Sequence, residues 1–171
     1  MILIDVQERL IKAMDQDKYR SKLITAVKIM NEMHVPVITT EQYPKGLGET
    51  IPEINETFTE KSKVFAKTSF PCWGAVEFAK AVTARPEKNL IIVGMESHVC
   101  VLQTVLEAIE RGYNVIIPAD CVCSRSEYDK TVALSLMRDA GATITTIEAI
   151  AFAWLGDAKH PSFKTISKLI V

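Results

Sequence analysis

Three side chains whose chemistry suits nucleophilic catalysis follow separate apolar runs of this sequence. Asp5 and Lys67 each end such a run, and Cys100 follows another run that ends at Gly94. A cysteine sulfur can attack a carbonyl or amide carbon, and a carboxylate can act as the general base that takes the thiol proton. A neighbouring ammonium group can hold the negative charge, so the three residue types predict a thiol nucleophile with its own base and charge partner.

The surroundings of Cys100 favour this prediction. Residues 89–112, NLIIVGMESHVCVLQTVLEAIERG, predict a buried strand, a short turn and an amphipathic helix that Cys100 opens. Unpaired N–H groups and the helix dipole at a helix N-terminus favour the thiolate, so we expect a lowered pKa for Cys100. The alternative is a structural cysteine, since free cysteine often packs as a small hydrophobic residue. The position after a strand, where ligands bind in open α/β sheets, favours the nucleophile.

The neighbouring candidates have simpler interpretations as well. Asp5 could cap a helix start, and Lys67 could be a surface lysine at a strand end. His98 stands two residues before Cys100, a spacing that does not bring two side chains face to face on a helix. We therefore interpret His98 as a turn or pocket residue and not as the partner of Cys100.

The order of elements predicts the fold that brings these strand ends together. Six short apolar runs rich in β-branched residues predict buried strands at 2–4, 35–39, 64–66, 90–93, 115–117 and 142–146. Helical patterns alternate with them, which predicts a three-layer αβα sandwich with a doubly wound, six-stranded parallel sheet. With no repeat and no linker, residues 1–171 are expected to form a single domain.

Local signals place the helices. Apolar periodicity predicts helices at 18–33, around 76–82, from Cys100 to a stop at Gly112, and at 127–140. Ser126 with Asp129 resembles a capping box for the last of these, and Pro161 suits the first turn of a closing helix. Residues 41–60, which carry two prolines and two glycines, predict a long loop that acts as a lid or contacts substrate.

Composition narrows the function classes. The 171 residues are 48% hydrophobic and 24% charged, with a formal net charge of −1. This balance predicts a soluble globular protein that binds neither nucleic acid nor membrane surfaces through bulk charge. The four cysteines do not resemble a secreted disulfide scaffold or a zinc site, and the N-terminus lacks the pattern of a signal peptide. We therefore predict a cytoplasmic protein without a metal or other cofactor.

Several segments carry a family resemblance. LIDVQ, FAKTSF, VGMESHVCV, ERGYNVIIPADCVCSR and DAKHPSFK together resemble the isochorismatase-like cysteine hydrolases, closest to the metal-free branch of isochorismatase-domain-containing proteins. The resemblance implies a triad of Asp5, Lys67 and Cys100. It also implies a non-proline cis peptide at Met95–Glu96 and an oxyanion hole made by the N–H groups of Glu96 and Cys100. The segment TTEQYPKGLGET lacks the Asp and His that related nicotinamidases use for a metal, so no metal is carried over.

The resulting functional prediction is a hydrolase of a small amide or related substrate. The candidate substrate-binding residues are Gln7, Tyr43, Phe70, Trp73 and Ser97, although the aromatic residues could equally be core packing. Lys45 and Arg125 could receive a substrate carboxylate, but surface charge is the favoured interpretation.

Two alternatives stay open, a non-catalytic binding or scaffold protein and a redox-sensing thiol with Cys72 or Cys121 as resolving partner. The resemblance also implies a homo-oligomer, a dimer or a tetramer. Phe152, Trp154 and Leu155 could line an interface between copies, although packing of the last helix on the sheet is slightly favoured.

Overall fold

A parallel sheet forms the centre of the molecule. The computed structural model describes residues 1–14 and 16–170, and of residues 16–18 only the backbone. Within this range the strands are β1 (Ile2–Ile4), β2 (Ile38–Gln42), β3 (Lys63–Lys67), β4 (Asn89–Met95), β5 (Asn114–Pro118), β6 (Val122–Cys123) and β7 (Thr143–Thr145). Their order is β3-β2-β1-β4-β5-β7, with β6 pairing with β4, and every pairing is parallel.

Helices cover both faces of the sheet. They are α1 (Glu8–Ile11), α2 (Gln16–Glu32), α3 (Pro44–Leu47), α4 (Pro52–Asn55), α5 (Val76–Thr83), α6 (Leu102–Glu110), α7 (Glu127–Asp139), α8 (Ile147–Leu155) and α9 (Phe163–Ile170). One apolar core joins the sheet to α2, α8 and α9, and the other joins it to α5, α6 and α7. The predicted three-layer sandwich with a parallel sheet is confirmed.

The order of the strands reverses between β1 and β4. From β1 the chain proceeds to β2 and β3 on one side, and then from β4 to β5 and β7 on the other. Ile4 is in register with Gly94, and a Cβ atom on Gly94 would lie only 2.1 Å from the carbonyl oxygen of Ile4. Glycine therefore lets the two strand ends approach closely at the switch point, where open α/β sheets bind their ligands.

Several elements differ from the sequence predictions. The sheet gains β6, a two-residue strand that pairs with the last two residues of β4, whereas β5 pairs with the first three. The predicted loop at 41–60 contains α3 and α4, because Pro44 and Pro52 begin single helical turns with a suitable φ. The nearly continuous apolar segment of α8 has a weak helical pattern and was missed.

The boundaries of α7 agree closely with the prediction. The predicted helix at 127–140 corresponds to α7, and the hydroxyl of Ser126 caps it by accepting from the amide of Asp129 at 3.3 Å. No helix in the described part of the chain combines the length and the apolar character needed to cross a bilayer.

Candidate active site

Asp5 occupies a sharp turn directly after β1. Its φ of 53° lies in the left-handed region, which Asp adopts more readily than most residues. The Asp5 amide donates to the carbonyl of Thr40 at 3.0 Å, and the hydroxyl of Thr40 donates to Asp5 Oδ1 at 2.7 Å. The carboxylate is fully buried, so these contacts with β2 determine its position in the site.

Lys67 neutralises this buried carboxylate. Its Nζ lies 2.7 Å from Asp5 Oδ2, and both side chains are inaccessible to solvent. The ammonium also donates to Gln42 Oε1 at 2.6 Å and to the carbonyls of Ser69 and Phe70 at 3.2 Å. Burial alone would lower the pKa of Lys67, but the negative charge of Asp5 raises it above its ordinary value. Lys67 is therefore a fixed positive charge at neutral pH.

Cys100 lies in the connection between β4 and α6. The segment Ser97–Val101 forms a π-helical turn ahead of α6, and Cys100 is 7% exposed. Val99 and Val101 are the residues on either side of Cys100. Their amides both donate to the carbonyl of Glu96, at 3.1 Å. The thiol therefore lies in a tight turn at the switch point, beside the end of β1.

The expectation of a lowered pKa for Cys100 is wrong. Burial raises the pKa of Cys100 to about 12, the Asp5 carboxylate adds to the increase, and Lys67 offsets only part of it. The dipole of α6 does not compensate, since the thiol is desolvated and lies near the Asp5 carboxylate. The resting residue is a thiol at neutral pH.

A second buried thiol lies close to the first. Cys72 Sγ is 3.6 Å from the hydroxyl of Thr40, and the Cys72 amide is hydrogen-bonded to the hydroxyl of Thr104 at 3.0 Å. Burial raises the pKa of Cys72 to about 11, with Lys67 opposing the increase. Cys72 is therefore also protonated at neutral pH.

The other side of the Cys100 turn meets the chain that follows β6. Arg125 Nε donates to Glu96 Oε1 at 2.9 Å, and the Arg125 amide lies 3.4 Å from the same oxygen. His98 Nδ1 lies 3.0 Å from the hydroxyl of Ser124, so His98 is a turn residue, as the spacing predicted. The Met95–Glu96 peptide bond is cis. Arg125, one of the two proposed carboxylate partners, is thus paired with a carboxylate of the protein itself.

Two predicted substrate contacts have structural roles. Gln7 is fully buried, its Nε2 donates to the carbonyls of Gln42 and Gly48, and its Oε1 accepts from the amide of Gln42. Trp73 stacks on Tyr113 with ring centroids 5.5 Å apart, deep in the core beside α5 and α6. The polar groups of Gln7 and the ring face of Trp73 therefore have partners within the protein, and a role of either residue in substrate binding stays a prediction.

Tyr43 and Phe70 remain available at the surface, with 55% and 54% exposure. Tyr43 lines a cavity of about 530 Å³ together with Lys45 and Lys67. Among the described residues, this lining includes neither Asp5 nor Cys100, so the cavity meets the site only at Lys67. Its volume lies in the range typical of small-molecule pockets.

Ser97 presents a different feature. It is fully buried in the turn that carries Cys100, and its hydroxyl has no hydrogen-bond partner among the described residues. A buried hydroxyl without a partner is unusual in folded proteins and suits a polar group supplied by a ligand. In the described ranges, no group of three or more His, Cys, Asp or Glu side chains is arranged to hold a metal ion.

Sequence reasoning missed Thr40 and Gln42, which hold Asp5 and Lys67. The strand signal for β2 was placed at 35–39, whereas the strand extends to Gln42. A strand end at Gln42 would have nominated both residues by the same rule that nominated Asp5. Cys72 carries no such signal, since it lies in a short 3₁₀ turn at Cys72–Gly74.

Relatives with similar sequences cover most of this chain. Isochorismatase family protein 1A of Dictyostelium discoideum is 44% identical over 146 residues, which are 84% of this chain and 71% of the relative. Isochorismatase domain-containing protein 2 of Bos taurus is 36% identical over 171 residues, 99% of this chain and 81% of the relative.

Solved structures share the fold. A structure described as the MAR1 ribonuclease of Caenorhabditis elegans has a TM-score of 0.91 and 37% identity, covering 99% of this chain and 87% of that one. The YcaC gene product of Escherichia coli, described as an octameric hydrolase of unknown specificity, has a TM-score of 0.85 and 26% identity. That match covers 98% of this chain and 90% of YcaC.

The profile of the Isochorismatase domain matches residues 1–149 of the chain. The chain is also 36% identical to isochorismatase domain-containing protein 2 over 99% of its length. The chain belongs to the isochorismatase family of hydrolases, in the branch of isochorismatase domain-containing protein 2.

Proposed function

We propose that this protein hydrolyses a small amide or a related acyl substrate with Cys100 as the nucleophile. The observation that carries the proposal is the buried Asp5–Lys67 ion pair at the switch point of the sheet, near enough to the Cys100 thiol for both charges to affect its pKa. Asp5 is paired with Lys67 at 2.7 Å, and its carboxylate raises the pKa of Cys100, whereas Lys67 lowers it. These groups supply a base, a fixed positive charge and a nucleophile.

The raised pKa of Cys100 determines the order of the proton transfer. Because the resting thiol is protonated, its proton passes to Asp5 as the sulfur attacks the carbonyl carbon. A carbon–sulfur bond forms, and the carbonyl oxygen becomes an oxyanion. The proton on Asp5 then passes to the leaving amine as the carbon–nitrogen bond breaks. Water, with Asp5 as the base, hydrolyses the thioester to the acid and regenerates the thiol.

Lys67 and the turn stabilise the negative charge in this sequence. When Asp5 holds the proton, the ammonium of Lys67 becomes the counter-ion of the charge that develops on sulfur and substrate. The N–H groups of Glu96 and Cys100 are proposed as the oxyanion hole. The Glu96 carbonyl accepts hydrogen bonds from Val99 and Val101, which flank Cys100, so the backbones of Glu96 and Cys100 lie in one tight turn. The candidate substrate contacts are Gln7, Tyr43, Phe70, Trp73 and Ser97, and of these Tyr43 and Phe70 are exposed.

The thiol pKa counts against the redox alternative. A redox-sensing cysteine needs a substantial thiolate fraction, whereas Cys100 and Cys72 have pKa values of about 12 and about 11. A non-catalytic binding protein would not require a base and a charge partner in contact with a buried thiol. Both alternatives therefore stand behind the hydrolase.

RNA is the competing substrate class, since several structural neighbours are described as ribonucleases or putative ribonucleases. The formal net charge of −1 offers no general attraction for a polyanion, and the nucleophile is a buried thiol. We therefore propose a small-molecule substrate and no nucleic-acid or membrane partner. An assay with single-stranded RNA tests this choice, because RNA cleavage that is lost in Cys100→Ala would replace the amide proposal.

The remaining proposals concern the protein as a whole. We propose a single domain, a reducing, cytoplasmic environment that keeps Cys100 as a free thiol, and a homo-oligomer like the octameric YcaC neighbour. Exposed Phe152 and Trp154 on α8 are candidate interface residues. Sedimentation or light scattering of the purified protein checks the assembly.

The decisive experiment is a panel of small amides and carboxylic esters assayed with the wild type, Cys100→Ala and Cys121→Ala. Cys121 is an equally buried free thiol in the other core and serves as the matched control. We expect Cys100→Ala to remove all turnover and Cys121→Ala to retain it. Undiminished turnover in folded Cys100→Ala would contradict the proposal.

A further inference from the structure

The turn that carries Cys100 is held from outside by the chain following β6. Met95 at the end of β4 is in register with Cys123 at the end of β6. The residues that follow these two strands, Glu96 and Ser124, therefore leave the sheet side by side. The turn therefore has a neighbour along its length that belongs neither to β4 nor to α6. From the sequence, Arg125 in this neighbour was only a possible partner for a substrate carboxylate.

Two side-chain contacts join the turn to this neighbour. The guanidinium of Arg125 donates through Nε to Glu96 Oε1 at 2.9 Å. The hydroxyl of Ser124 lies 3.0 Å from Nδ1 of His98. The contacts are two residues apart on the turn, and both precede Cys100. A segment held at two such points cannot rotate freely about its own axis.

Stability alone gives little reason for the Arg125 contact. The Arg125 side chain is 64% exposed, and ion pairs at such positions contribute little to folding because water screens them. The Glu96 side chain is only 11% exposed, so it depends on Arg125 for its counter-charge. Without Arg125, this carboxylate would gain by rotating towards solvent, and the Glu96 backbone would lose a restraint on its position.

A hydrogen-bond donor in an oxyanion hole must be held in an accurate position. Such donors stabilise the charge only when they lie about 2.7–3.1 Å from the oxygen, so a small displacement of the peptide reduces their effect strongly. The carboxylate of Glu96 is attached to the same residue whose N–H group is the proposed donor. A contact that fixes the side chain therefore also restricts the direction of that N–H.

We propose that Arg125, assisted by Ser124, is a positioning residue that holds the oxyanion-forming turn through Glu96 and His98. This inference rests on the proposed function, since it assigns a role within the same acyl transfer. Arg125 does not touch the reacting atoms. It acts through Glu96, and its removal lowers the rate of acyl transfer without removing the nucleophile.

Two probes of Cys100 separate these effects. p-Nitrophenyl acetate acylates the thiol, expels p-nitrophenolate and needs an oxyanion hole. Iodoacetamide alkylates the same thiol by displacing iodide and forms no oxyanion. Both probes are uncharged, so neither depends on recognition of a substrate carboxylate by Arg125. The ratio of the two rates, measured at one pH after subtracting the Cys100→Ala background, reports the oxyanion hole alone.

We expect Arg125→Ala to lower acylation by roughly tenfold, less than the 10²- to 10³-fold loss typical when an oxyanion donor is deleted. Alkylation should stay within about twofold of the wild type, since the triad is untouched. Glu96→Gln retains the oxygen that accepts from Arg125 and should keep most acylation, whereas Glu96→Ala should lose as much as Arg125→Ala. Lys80→Ala, which removes an exposed ion pair of equal length on α5, is the matched control.

The outcomes separate this inference from the proposed function. If the wild type is acylated no faster than Cys100→Ala, the proposed function fails. If the wild type is acylated and Arg125→Ala keeps the wild-type ratio of rates, only the positioning role fails. A parallel loss of acylation and alkylation in Arg125→Ala also overturns the role, because it indicates general damage. A loss in Glu96→Gln as large as in Glu96→Ala contradicts the contact through Oε1.

Discussion

Two ion pairs lie on opposite sides of Cys100, and they differ in almost every property except length. The Asp5–Lys67 pair, at 2.7 Å, is completely buried between the ends of β1 and β3. The Glu96–Arg125 pair, at 2.9 Å, lies at the rim, with side chains 11% and 64% exposed. The first changes the pKa of the thiol, whereas the second contacts the turn that carries it.

The difference shows how burial divides two tasks within one site. In the interior, charges interact strongly because water does not screen them, so Asp5 and Lys67 affect the protonation of Cys100. At the rim, water weakens the charge of Arg125, and the directional hydrogen bond to Glu96 is what remains. The inner pair is therefore expected to control proton transfer, and the outer pair the geometry of the oxyanion.

The largest expected effect comes from removing the base. We predict that Asp5→Asn lowers turnover by roughly 10²- to 10⁴-fold, the usual contribution of general acid–base catalysis. Alkylation of Cys100 by iodoacetamide should become faster, because the Asp5 carboxylate raises the pKa of the thiol and its loss lowers that pKa. Steady-state turnover and mass-spectrometric labelling measure the two rates. A parallel fall in both would contradict the separation of base from nucleophile.

The two ion pairs should also differ in how much they contribute to the free energy of unfolding. Lys67→Met leaves the buried Asp5 carboxylate without a counter-charge and should lower the free energy of unfolding by about 3–5 kcal/mol. The double variant Asp5→Asn with Lys67→Met should recover part of this loss, since neither buried charge remains. Arg125→Ala should leave the unfolding midpoint almost unchanged. Urea denaturation followed by circular dichroism tests the set, and equal losses for Lys67→Met and Arg125→Ala would break the comparison.

The pH dependence of alkylation sharpens the comparison further. A thiol with a pKa of about 12 is protonated at neutral pH, so its thiolate fraction rises tenfold per pH unit below that value. We predict the same rise in alkylation rate for the wild type and for Glu96→Gln. Asp5→Asn should move the profile to lower pH. A wild-type rate that levels off near pH 8 would show that the pKa of Cys100 is not raised.

The smallest effect is expected at Ser124. Ser124→Ala removes one hydrogen bond to His98, a contact that contributes about 0.5–1.5 kcal/mol in typical cases. We therefore predict a two- to fivefold fall in the acylation rate, in the lower part of the roughly 2- to 13-fold range to which that free energy corresponds, and no change in alkylation. Acylation with p-nitrophenyl acetate measures this change. A fall larger than that of Arg125→Ala would place the main contact at His98 and not at Glu96.

Particular elements show why some predictions succeeded. β1 was predicted within its observed bounds at Ile2–Ile4, and the start of α7 was predicted from Ser126, because both signals are local. The strand ends that carry Asp5, Lys67 and Cys100 followed from the same local patterns. The predicted convergence of these residues needed only the rule that the carboxyl ends of parallel strands share one edge.

The sequence is less informative where contacts between distant residues determine the local structure. β6 is too short for its own pattern and exists because Val122 and Cys123 pair with the end of β4. The surroundings of Gln7 and Trp73 also depend on distant residues. The backbone of Gln42 and Gly48 binds the Gln7 side chain, and Tyr113 stacks on Trp73 from another element.

The sequence by itself determined the chemical types at the site and their order along the chain. Apolar runs specify buried strands, and polar residues at their ends specify what can meet at the switch point. The tertiary structure alone decided the protonation of Cys100, since the local helix signal favoured a thiolate and burial beside Asp5 raised the pKa to about 12. A pKa depends on desolvation and on charges from other strands, and neither is a property of the residues adjacent in sequence.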